Sequence, residues 1–250
     1  MLMRLLRCLY HRRNVATNNQ RGNQSSVRDY SLLSGERQTG SILENIRKDH
    51  LIRYEMAAGL IGLDVGGKTC NCLDLFCGNG YGTFLLAKSL LCLRVVGIDG
   101  SQEAVDQACE CYSLPNNIFA YKRYPFNLPA DAFDYVTCFE SLEHIEDDRA
   151  MLCEVFSSLR LNGLLMISIP NQDCHPLELN RHDFHFRHYR HEEFLSLIPP
   201  NFILEGWYGQ NVYEFTQERR NTFNLLSTEE MCLQKEVPGQ VCIYIFRRLN

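Results

Sequence analysis

Three side chains with the chemistry of a metal or proton site follow a predicted strand near the middle of the chain. They lie in the run Phe139-Glu-Ser-Leu-Glu-His144, which contains Glu140, Glu143 and His144. On an α-helical turn, this i, i+3, i+4 spacing would place the three on one face. Two carboxylates and an imidazole repel one another at such distances unless a cation or a hydrogen-bond donor binds them. Oxygen and imidazole ligands suit Mg²⁺ or Mn²⁺, with Zn²⁺ as a further option. The alternative interpretation is a solvated, acidic helix start.

A histidine-rich segment, residues 180–191, follows the next predicted strand. It carries His182, His185, His188 and His191 between two strand ends, on the side where open parallel sheets bind ligands. One of these imidazoles could complete a metal shell, and a metal-free one could take a proton. Many histidine-rich loops have no such role, and four histidines cannot all bind one ion that three other residues already hold.

A glycine-rich turn earlier in the chain predicts a nucleotide-cofactor site. Residues 73–82 read Leu-Asp-Leu-Phe-Cys-Gly-Asn-Gly-Tyr-Gly, an apolar strand that runs into the turn. Glycines carry no Cβ, so the backbone amides can approach a ligand, and a predicted helix begins directly behind them. Asp99 ends the next apolar run, where its carboxylate could accept hydrogen bonds from a ribose cis-diol.

These residues require an alternation of strands and helices to position them. The apolar patterns predict strands at 72–76, 95–99, 118–124, 133–139, 164–169, 201–208 and 241–247, and helices at 83–91, 102–112, 147–159 and 191–197. Residues 42–62 have helical spacing and are expected to cap the cofactor pocket. The polar stretch 214–238 shows no pattern and is predicted to be a loop. The alternation predicts an α/β fold with a doubly wound, mainly parallel sheet.

Length and composition favour one domain. With 250 residues and 45% hydrophobic residues, the chain suits a single α/β domain at 41–250 behind a basic tail at 1–40. The first 28 residues contain six arginines and no acid, which is typical of an organellar targeting segment or of a disordered tail. Arg4 and Arg7 interrupt the apolar stretch there, so neither a secretory core nor a membrane span is expected.

Net charge and cysteine content limit which partners and which cellular compartment are expected. The net charge of −5 gives no global attraction to nucleic acid. Twelve cysteines without a C-x-x-C pair favour free, mostly buried thiols in a reducing compartment over disulfides or a soft-metal site. The expected location is cytoplasmic, or mitochondrial if the basic segment is a transit peptide.

The G-x-G-x-G turn, with Asp74 inside its strand and Asp99 one β-α-β step later, resembles the first motif of the Rossmann-like (class I) S-adenosylmethionine-dependent methyltransferases. The resemblance implies a seven-stranded sheet whose last two strands form an antiparallel hairpin at the edge. It also implies S-adenosylmethionine as cofactor. The contacts expected for it come from Asp74, Gly78, Asn79, Gly80, Asp99, Gly100, Phe126 and Phe139.

Other segments resemble narrower branches. Residues 35–37 (Gly-Glu-Arg) and 49–54 (Asp-His-Leu-Ile-Arg-Tyr), Pro170-Asn171, and an H-x-R-x-Y signature at 185–189 are similar to bacterial polysaccharide-associated methyltransferases. The E-x-x-E-H motif is similar to that of ubiquinone-pathway O-methyltransferases and small-RNA 3′-terminal 2′-O-methyltransferases. In the RNA enzymes two Glu and two His hold a metal, which here implies Glu140, Glu143, His144 and His185 as ligands.

The resemblance therefore implies a metal-assisted O-methyltransferase. His185 would help to fix the ion, and His182 would be available to take the proton of the acceptor hydroxyl. Three acceptors compete: a sugar hydroxyl on a glycan precursor or other small molecule, a quinone-type catechol, and a terminal RNA ribose, against which the acidic charge balance stands. A protein of another class, a cofactor-binding partner without catalysis, stays open, and the sequence gives no oligomeric state.

Overall fold

The computed structural model describes residues 37–91 and 93–249. Ten strands are present: β1 (Cys70–Leu75), β2 (Leu93–Asp99), β3 (Asn117–Tyr121), β4 (Phe133–Cys138), β5 (Leu159–Pro170), β6 (Phe202–Gln210), β7 (Tyr213–Phe215), β8 (Asn221–Leu225), β9 (Gln234–Lys235) and β10 (Val241–Arg248). The α-helices are α1 (Lys48–Asp64), α2 (Tyr81–Ser89), α3 (Gln102–Cys111), α4 (Asp148–Ser158) and α5 (His191–Leu195). Single 3-10 turns lie at Leu43–Asn45 and Leu142–His144.

Eight of the strands form one sheet in the order β3-β2-β1-β4-β5-β10-β6-β9. Strands β1 to β5 pair in parallel, and β10 pairs antiparallel with both β5 and β6. The predicted doubly wound sheet and its antiparallel closing pair are confirmed. A two-residue strand, β9, adds an eighth member beyond the seven expected.

The prediction of a loop at 214–238 is wrong in part. This stretch contains most of a two-stranded hairpin, β7-β8, and the edge strand β9. Most side chains of β8 and β9 are exposed. A strand without a buried face carries no alternating apolar pattern, and its sequence therefore looks like a loop.

Helices cover the sheet on both faces. Apolar residues of α1 and α2, such as Ala57, Ile61 and Leu86, pack on one face, and residues of α4 and α5, such as Met151 and Phe194, pack on the other. This double layer explains the near-continuous apolar runs of β1, β2 and β4, which are buried on both sides. The carboxyl ends of these strands meet at one edge of the sheet, where the site lies.

Several predictions concern residues outside this description. The basic tail falls almost entirely on residues 1–36, which are not described, so its targeting role stays a prediction.

Among the described residues, the cysteines are all free thiols. Within the same part of the chain, no helix combines the length and the apolar character needed to cross a membrane.

Candidate active site

The three glycines of the turn have different roles. Gly78 has φ +55°, and a Cβ added to it would stand in open space. Gly80 has φ +90°, and its Cβ would lie 2.6 Å from the Cβ of Ala108 on α3. At Gly82 an added Cβ would lie 2.0 Å from the Tyr54 ring of α1. Only Gly78 therefore borders room for a ligand, whereas Gly80 and Gly82 let helices approach the turn.

Asp99 is fixed at the end of β2 by three donors. Its Oδ2 accepts the Gly78 amide at 2.9 Å, and its Oδ1 accepts the Ser101 amide at 2.8 Å and the Arg37 guanidinium at 2.9 Å. The residue is fully buried. The bond to Gly78 ties the acid to the glycine turn, as the predicted ribose site requires.

Asp74 has an internal role. Its carboxylate accepts hydrogen bonds from Tyr54 at 2.8 Å, Thr83 at 2.6 Å and Thr137 at 2.8 Å, and it is fully buried. Burial raises the pKa of Asp74 to about 6, although the three hydroxyl bonds oppose the shift. The acid joins α1, α2 and β4 beneath the turn. Its contact with the cofactor's amino group stays a prediction.

A segment before α1 lies against the turn. The Gly40 carbonyl accepts hydrogen bonds from the Asn79 side chain at 2.7 Å and from the Tyr112 hydroxyl at 2.8 Å. Gln107 of α3 donates to the Thr39 carbonyl at 3.0 Å. These contacts could not be predicted from residue types, because backbone carbonyls accept them. They give Asn79, a predicted cofactor residue, a place in holding this segment over the turn.

The remaining predicted cofactor residues are buried around the same strand ends. Gly100 follows Asp99 directly. The Phe139 ring meets the Tyr54 ring edge-on at 5.0 Å, and the Phe126 ring meets Phe76 at 5.0 Å. The two phenylalanines therefore contribute to packing beneath the site, and their contact with a cofactor stays a prediction.

Three of the four predicted metal ligands come together. Glu143, His144 and His185 place one ligand atom each within 4.8 Å of one another. The ring centroids of His144 and His185 are 4.7 Å apart, and Glu143 is 1% exposed. One carboxylate and two imidazoles at this spacing fit a divalent cation. The solvated helix face of the alternative interpretation is not what the structure shows.

Glu140 lies outside this group, which corrects the prediction. The run is not an α-helical turn: only Leu142–His144 is helical, as a 3-10 turn, and Glu140 precedes it with φ +47°. The left-handed backbone directs the side chain to β5, where its Oε1 accepts the Ser168 hydroxyl at 2.8 Å. Its Oε2 lies 3.8 Å from Nη1 of Arg53. The i, i+3, i+4 argument failed because the local helix is too short.

The H-x-R-x-Y signature explains how His185 reaches the group. Arg187 and Tyr189 both donate to Oδ2 of Asp148 at the start of α4, at 2.8 and 3.0 Å. The Phe186 amide donates to the Glu143 carbonyl at 2.8 Å. These bonds pin the segment against the 3-10 turn. Asp148 was missed from the sequence, since nothing near it marks a partner 39 residues away.

The other histidines surround His185. His188 is buried, its Nε2 lies 2.8 Å from Nδ1 of His185, and its Nδ1 lies 2.6 Å from the His175 carbonyl. The His182 ring stacks on His185 at 4.3 Å. His191 instead packs near Trp207 and Tyr244, with its Nδ1 3.0 Å from the Tyr244 hydroxyl. His188 therefore belongs to the buried histidines around His185, whereas His191 lies outside them and is half-buried.

Burial favours the neutral form of the buried histidines around His185. Desolvation lowers the pKa of His188 to about 4 and that of His175 to about 3, and it also lowers the pKa of His182 and His185. Neutral imidazole is the form that binds a metal or accepts a proton. These histidines are therefore suited to both tasks near neutral pH.

The fold agrees with comparisons to known proteins. Trans-aconitate 2-methyltransferase of Enterobacter sp. (strain 638) is 30% identical over 128 residues, which is 50% of this chain and 48% of the relative. Ubiquinone biosynthesis O-methyltransferase of Actinobacillus pleuropneumoniae is 27% identical over 52% of this chain and 55% of the relative. The chain thus spans about half the length of these curated relatives.

A solved structure gives the same result for the fold. The N-methyltransferase NodS from Bradyrhizobium japonicum, in complex with S-adenosyl-L-homocysteine, has a TM-score of 0.56 at 18% identity, over 81% of this chain and 88% of NodS. A family model described as "Methyltransferase domain" matches residues 67–219, more than half of the chain. The match includes the glycine turn, the E-x-x-E-H run and the histidine segment. The chain belongs to the family of methyltransferase domains that use S-adenosylmethionine.

Proposed function

We propose that the protein transfers the methyl group of S-adenosylmethionine to an oxygen of a small acceptor and that a divalent metal assists. The observation that carries the proposal is the convergence of Glu143, His144 and His185, whose ligand atoms lie within 4.8 Å of one another. Strand β4, which leads to the first two residues, is the direct neighbour of β1, which leads to the turn. A methyl donor at the turn would therefore lie next to an acceptor held at the cluster.

The cofactor half fits the methyl donor. Asp99 presents a buried carboxylate for the ribose, and Gly78 leaves the space for a ligand against its backbone. Both are fixed before a ligand binds, because the Gly78 amide and the Ser101 amide hold the acid. Alignment of the reacting atoms is most of what a single displacement needs from a protein.

The acceptor half fits a divalent cation held by Glu143, His144 and His185. Such an ion supplies a lowered pKa for an acceptor hydroxyl that lies against it. Glu143 would provide the negative charge, and the imidazoles of His144 and His185 would fix the direction of approach. Mn²⁺, Mg²⁺ and Zn²⁺ all accept this set of donors.

The transfer also requires a proton acceptor. The bond from sulfur to the methyl carbon breaks, the bond from that carbon to the acceptor oxygen forms, and the hydroxyl proton leaves. His182 stacks on His185, and burial lowers its pKa, so its neutral ring can take this proton. We assign it that role.

The acceptor class follows from the polar site. A vicinal diol, as on a sugar or a catechol, offers one oxygen to the cluster and a second for orientation. The ubiquinone-pathway relative favours a catechol-type hydroxyl, and the trans-aconitate relative makes a carboxylic acid the second candidate. A terminal RNA ribose is the weakest candidate, since the chain has a net charge of −5.

A two-stage experiment tests the proposal. Calorimetry with S-adenosylhomocysteine comes first, and we expect binding. Release of S-adenosylhomocysteine from S-adenosylmethionine is then measured with Mn²⁺ and with catechol, a sugar nucleotide or trans-aconitate, each with and without EDTA. Turnover that EDTA abolishes supports the proposal. Turnover that EDTA leaves unchanged would show that no metal assists the transfer. Binding without turnover on any acceptor favours a non-catalytic cofactor-binding protein.

A further inference from the structure

Glu140 is a carboxylate that the fold holds in place without using it in the metal cluster. Its φ of +47° lies in the left-handed region, which is unfavourable for a residue with a side chain. Its own amide donates to the Ser168 hydroxyl at 2.8 Å, and that hydroxyl donates back to its Oε1 at 2.8 Å. Its side chain is 26% exposed. A strained, anchored and partly accessible acid is a candidate for contact with a ligand.

Arg53 of α1 stands behind this carboxylate. Its Nε donates to Gln210 at 2.7 Å, and its Nη2 donates to Asp49 at 3.1 Å. Its Nη1 lies 3.8 Å from Oε2 of Glu140 and has no hydrogen-bond partner among the described residues. The arginine is 1% exposed, so it cannot reach a ligand itself. The structure thus aims a buried positive charge at Glu140.

This arrangement argues against Glu140 as a metal ligand. To join the metal cluster, Glu140 would have to leave both Ser168 and Arg53. The buried guanidinium would then lose the nearest charge on its Nη1 side, which is unfavourable inside a protein. A cation bound by Glu140 where it stands would instead face the positive charge of Arg53.

The side chain also lies on the acceptor side of the sheet. Strands β4 and β5 are paired so that Cys138 is opposite Ile167, which places Ser168 beside the end of β4. Glu140 therefore leans over β5, away from β1 and the glycine turn. It interacts electrostatically with His182, the residue assigned to take the proton, and with Tyr213 of β7.

We propose that Glu140 binds the methyl acceptor by accepting a hydrogen bond from one of its hydroxyl groups, and that Arg53 is a positioning residue for Glu140. The proposal rests on the proposed function and narrows its substrate class: the acceptor carries a second hydroxyl next to the one that is methylated. An ion held by Glu143, His144 and His185 would bind the reacting oxygen, and Glu140 would accept a hydrogen bond from the neighbouring hydroxyl.

The test compares two glutamates with three probes: Mn²⁺, S-adenosylhomocysteine and catechol. For Glu140→Gln we expect Mn²⁺ and S-adenosylhomocysteine affinities within about twofold of the unmodified protein and a KM for catechol raised about tenfold or more. Glu143→Gln should instead lose Mn²⁺ affinity by about tenfold or more. Glu55→Gln, an exposed acid on the same helix as Arg53, serves as the control and should change none of the three.

Each departure has a defined meaning. If Glu140→Gln weakens Mn²⁺ as much as Glu143→Gln does, Glu140 is a metal ligand and the inference is wrong. If it weakens S-adenosylhomocysteine, Glu140 serves the cofactor's amino group and the inference is also wrong. An unchanged KM for catechol overturns it too. Absence of turnover by the unmodified protein contradicts the proposed function instead, and unchanged Mn²⁺ and S-adenosylhomocysteine affinities in Glu140→Gln then still support the placement of Glu140 outside both sites.

Arg53 is tested through its dependence on Glu140. Arg53→Lys keeps the charge but loses the planar geometry, so it should raise the KM for catechol in the unmodified background. In the Glu140→Gln background it should raise the KM no further, because the residue acts through Glu140. Equal effects in both backgrounds would mean a general structural role and would overturn the positioning assignment. Ser168→Ala gives the same comparison if Arg53→Lys does not fold.

Discussion

The two halves of the proposed active site, the cofactor half and the acceptor half, hold their polar groups in opposite ways. In the cofactor half, Asp74 and Asp99 each accept three hydrogen bonds from the protein and are fully buried. In the acceptor half, Glu143, His144 and His185 direct their ligand atoms toward one another within 4.8 Å. The first half is satisfied by its own donors, whereas the second gathers acceptor atoms that suit a cation.

This difference indicates how each half recognises its ligand. In the cofactor half, the bond from the Gly78 amide to the Asp99 carboxylate joins neighbouring strands of one β-α-β unit, and donors from α1 and β4 hold Asp74 beneath it. The acceptor half depends on contacts between segments about 40 residues apart, such as the bond between the Phe186 amide and the Glu143 carbonyl. Substitutions in the two halves should therefore separate cofactor binding from metal binding.

The largest effect is expected at Glu143. Glu143→Ala should reduce metal-dependent turnover by about 100-fold or more, because it removes the only carboxylate of the described cluster. Affinity for S-adenosylhomocysteine should stay unchanged. Release of S-adenosylhomocysteine and calorimetry measure the two quantities, and chelation of the unmodified protein should imitate the variant. Full activity in both treatments would show that the cluster has no metal role.

The reciprocal change is Asp99→Ala in the cofactor half. We expect S-adenosylhomocysteine to bind about 1–3 kcal/mol more weakly, because charge-assisted hydrogen bonds to the ribose are lost. Mn²⁺ affinity should not change. Asp106→Ala on α3 is the matched control, since that acid is exposed. If calorimetry finds equal affinity in Asp99→Ala and Asp106→Ala, Asp99 does not contact the cofactor.

The histidine segment sharpens the comparison inside the acceptor half. His185→Ala should weaken Mn²⁺ by about tenfold or more, and His188→Ala by less, since His188 holds the second nitrogen of His185 at 2.8 Å. His191→Ala should have no effect, because its ring lies near Trp207 and Tyr244. Mn²⁺ titrations rank the three variants. Equal losses in all three would mean a diffuse histidine cluster and no defined ligand.

The smallest effect concerns His50 of α1, which packs on Tyr81 beside the cofactor half. Burial lowers its pKa to about 3, although Asp49 opposes the shift. The unfolded chain binds a proton near pH 6.5 and the folded protein does not, so stability is lost as the pH falls below 6.5.

At pH 5.5, His50 should therefore cost the folded protein about 1 kcal/mol in free energy of unfolding relative to pH 7.5. Urea denaturation at both values measures this difference. His50→Gln should make the loss smaller than in the unmodified protein. An identical loss in the variant would show that other groups carry the pH dependence.

The cofactor half could largely be predicted from the sequence. Strand, glycine turn and helix are adjacent in the chain, and the acid of the next strand follows at a fixed β-α-β distance, so local pattern places them. Even there the sequence could not separate the glycines. At Gly82 the Tyr54 ring of α1 leaves no space for a Cβ, whereas Gly78 borders free space beside the turn. The sequence alone does not distinguish these two roles.

For the acceptor half, the sequence predicted most of the residues that take part but not how they are arranged. Residue types and the resemblance to a motif singled out Glu143, His144 and His185, which the structure brings together. The same argument included Glu140, because it assumed an α-helical turn where the chain forms a 3-10 turn preceded by a left-handed residue. It also left the place of His188 open, and the fold buries this residue against His185.

The sequence by itself determined the sheet, the glycine turn and the types of groups at the site, because apolar periodicity and glycine placement act over a few residues. Only the tertiary structure decided which groups face one another. Asp148 draws Arg187 and Tyr189 to α4 and so brings His185 to Glu143, while Arg53 and Ser168 hold Glu140 apart. These choices depend on buried charges finding partners from distant segments, and a buried charge is stable only where the whole fold supplies that partner.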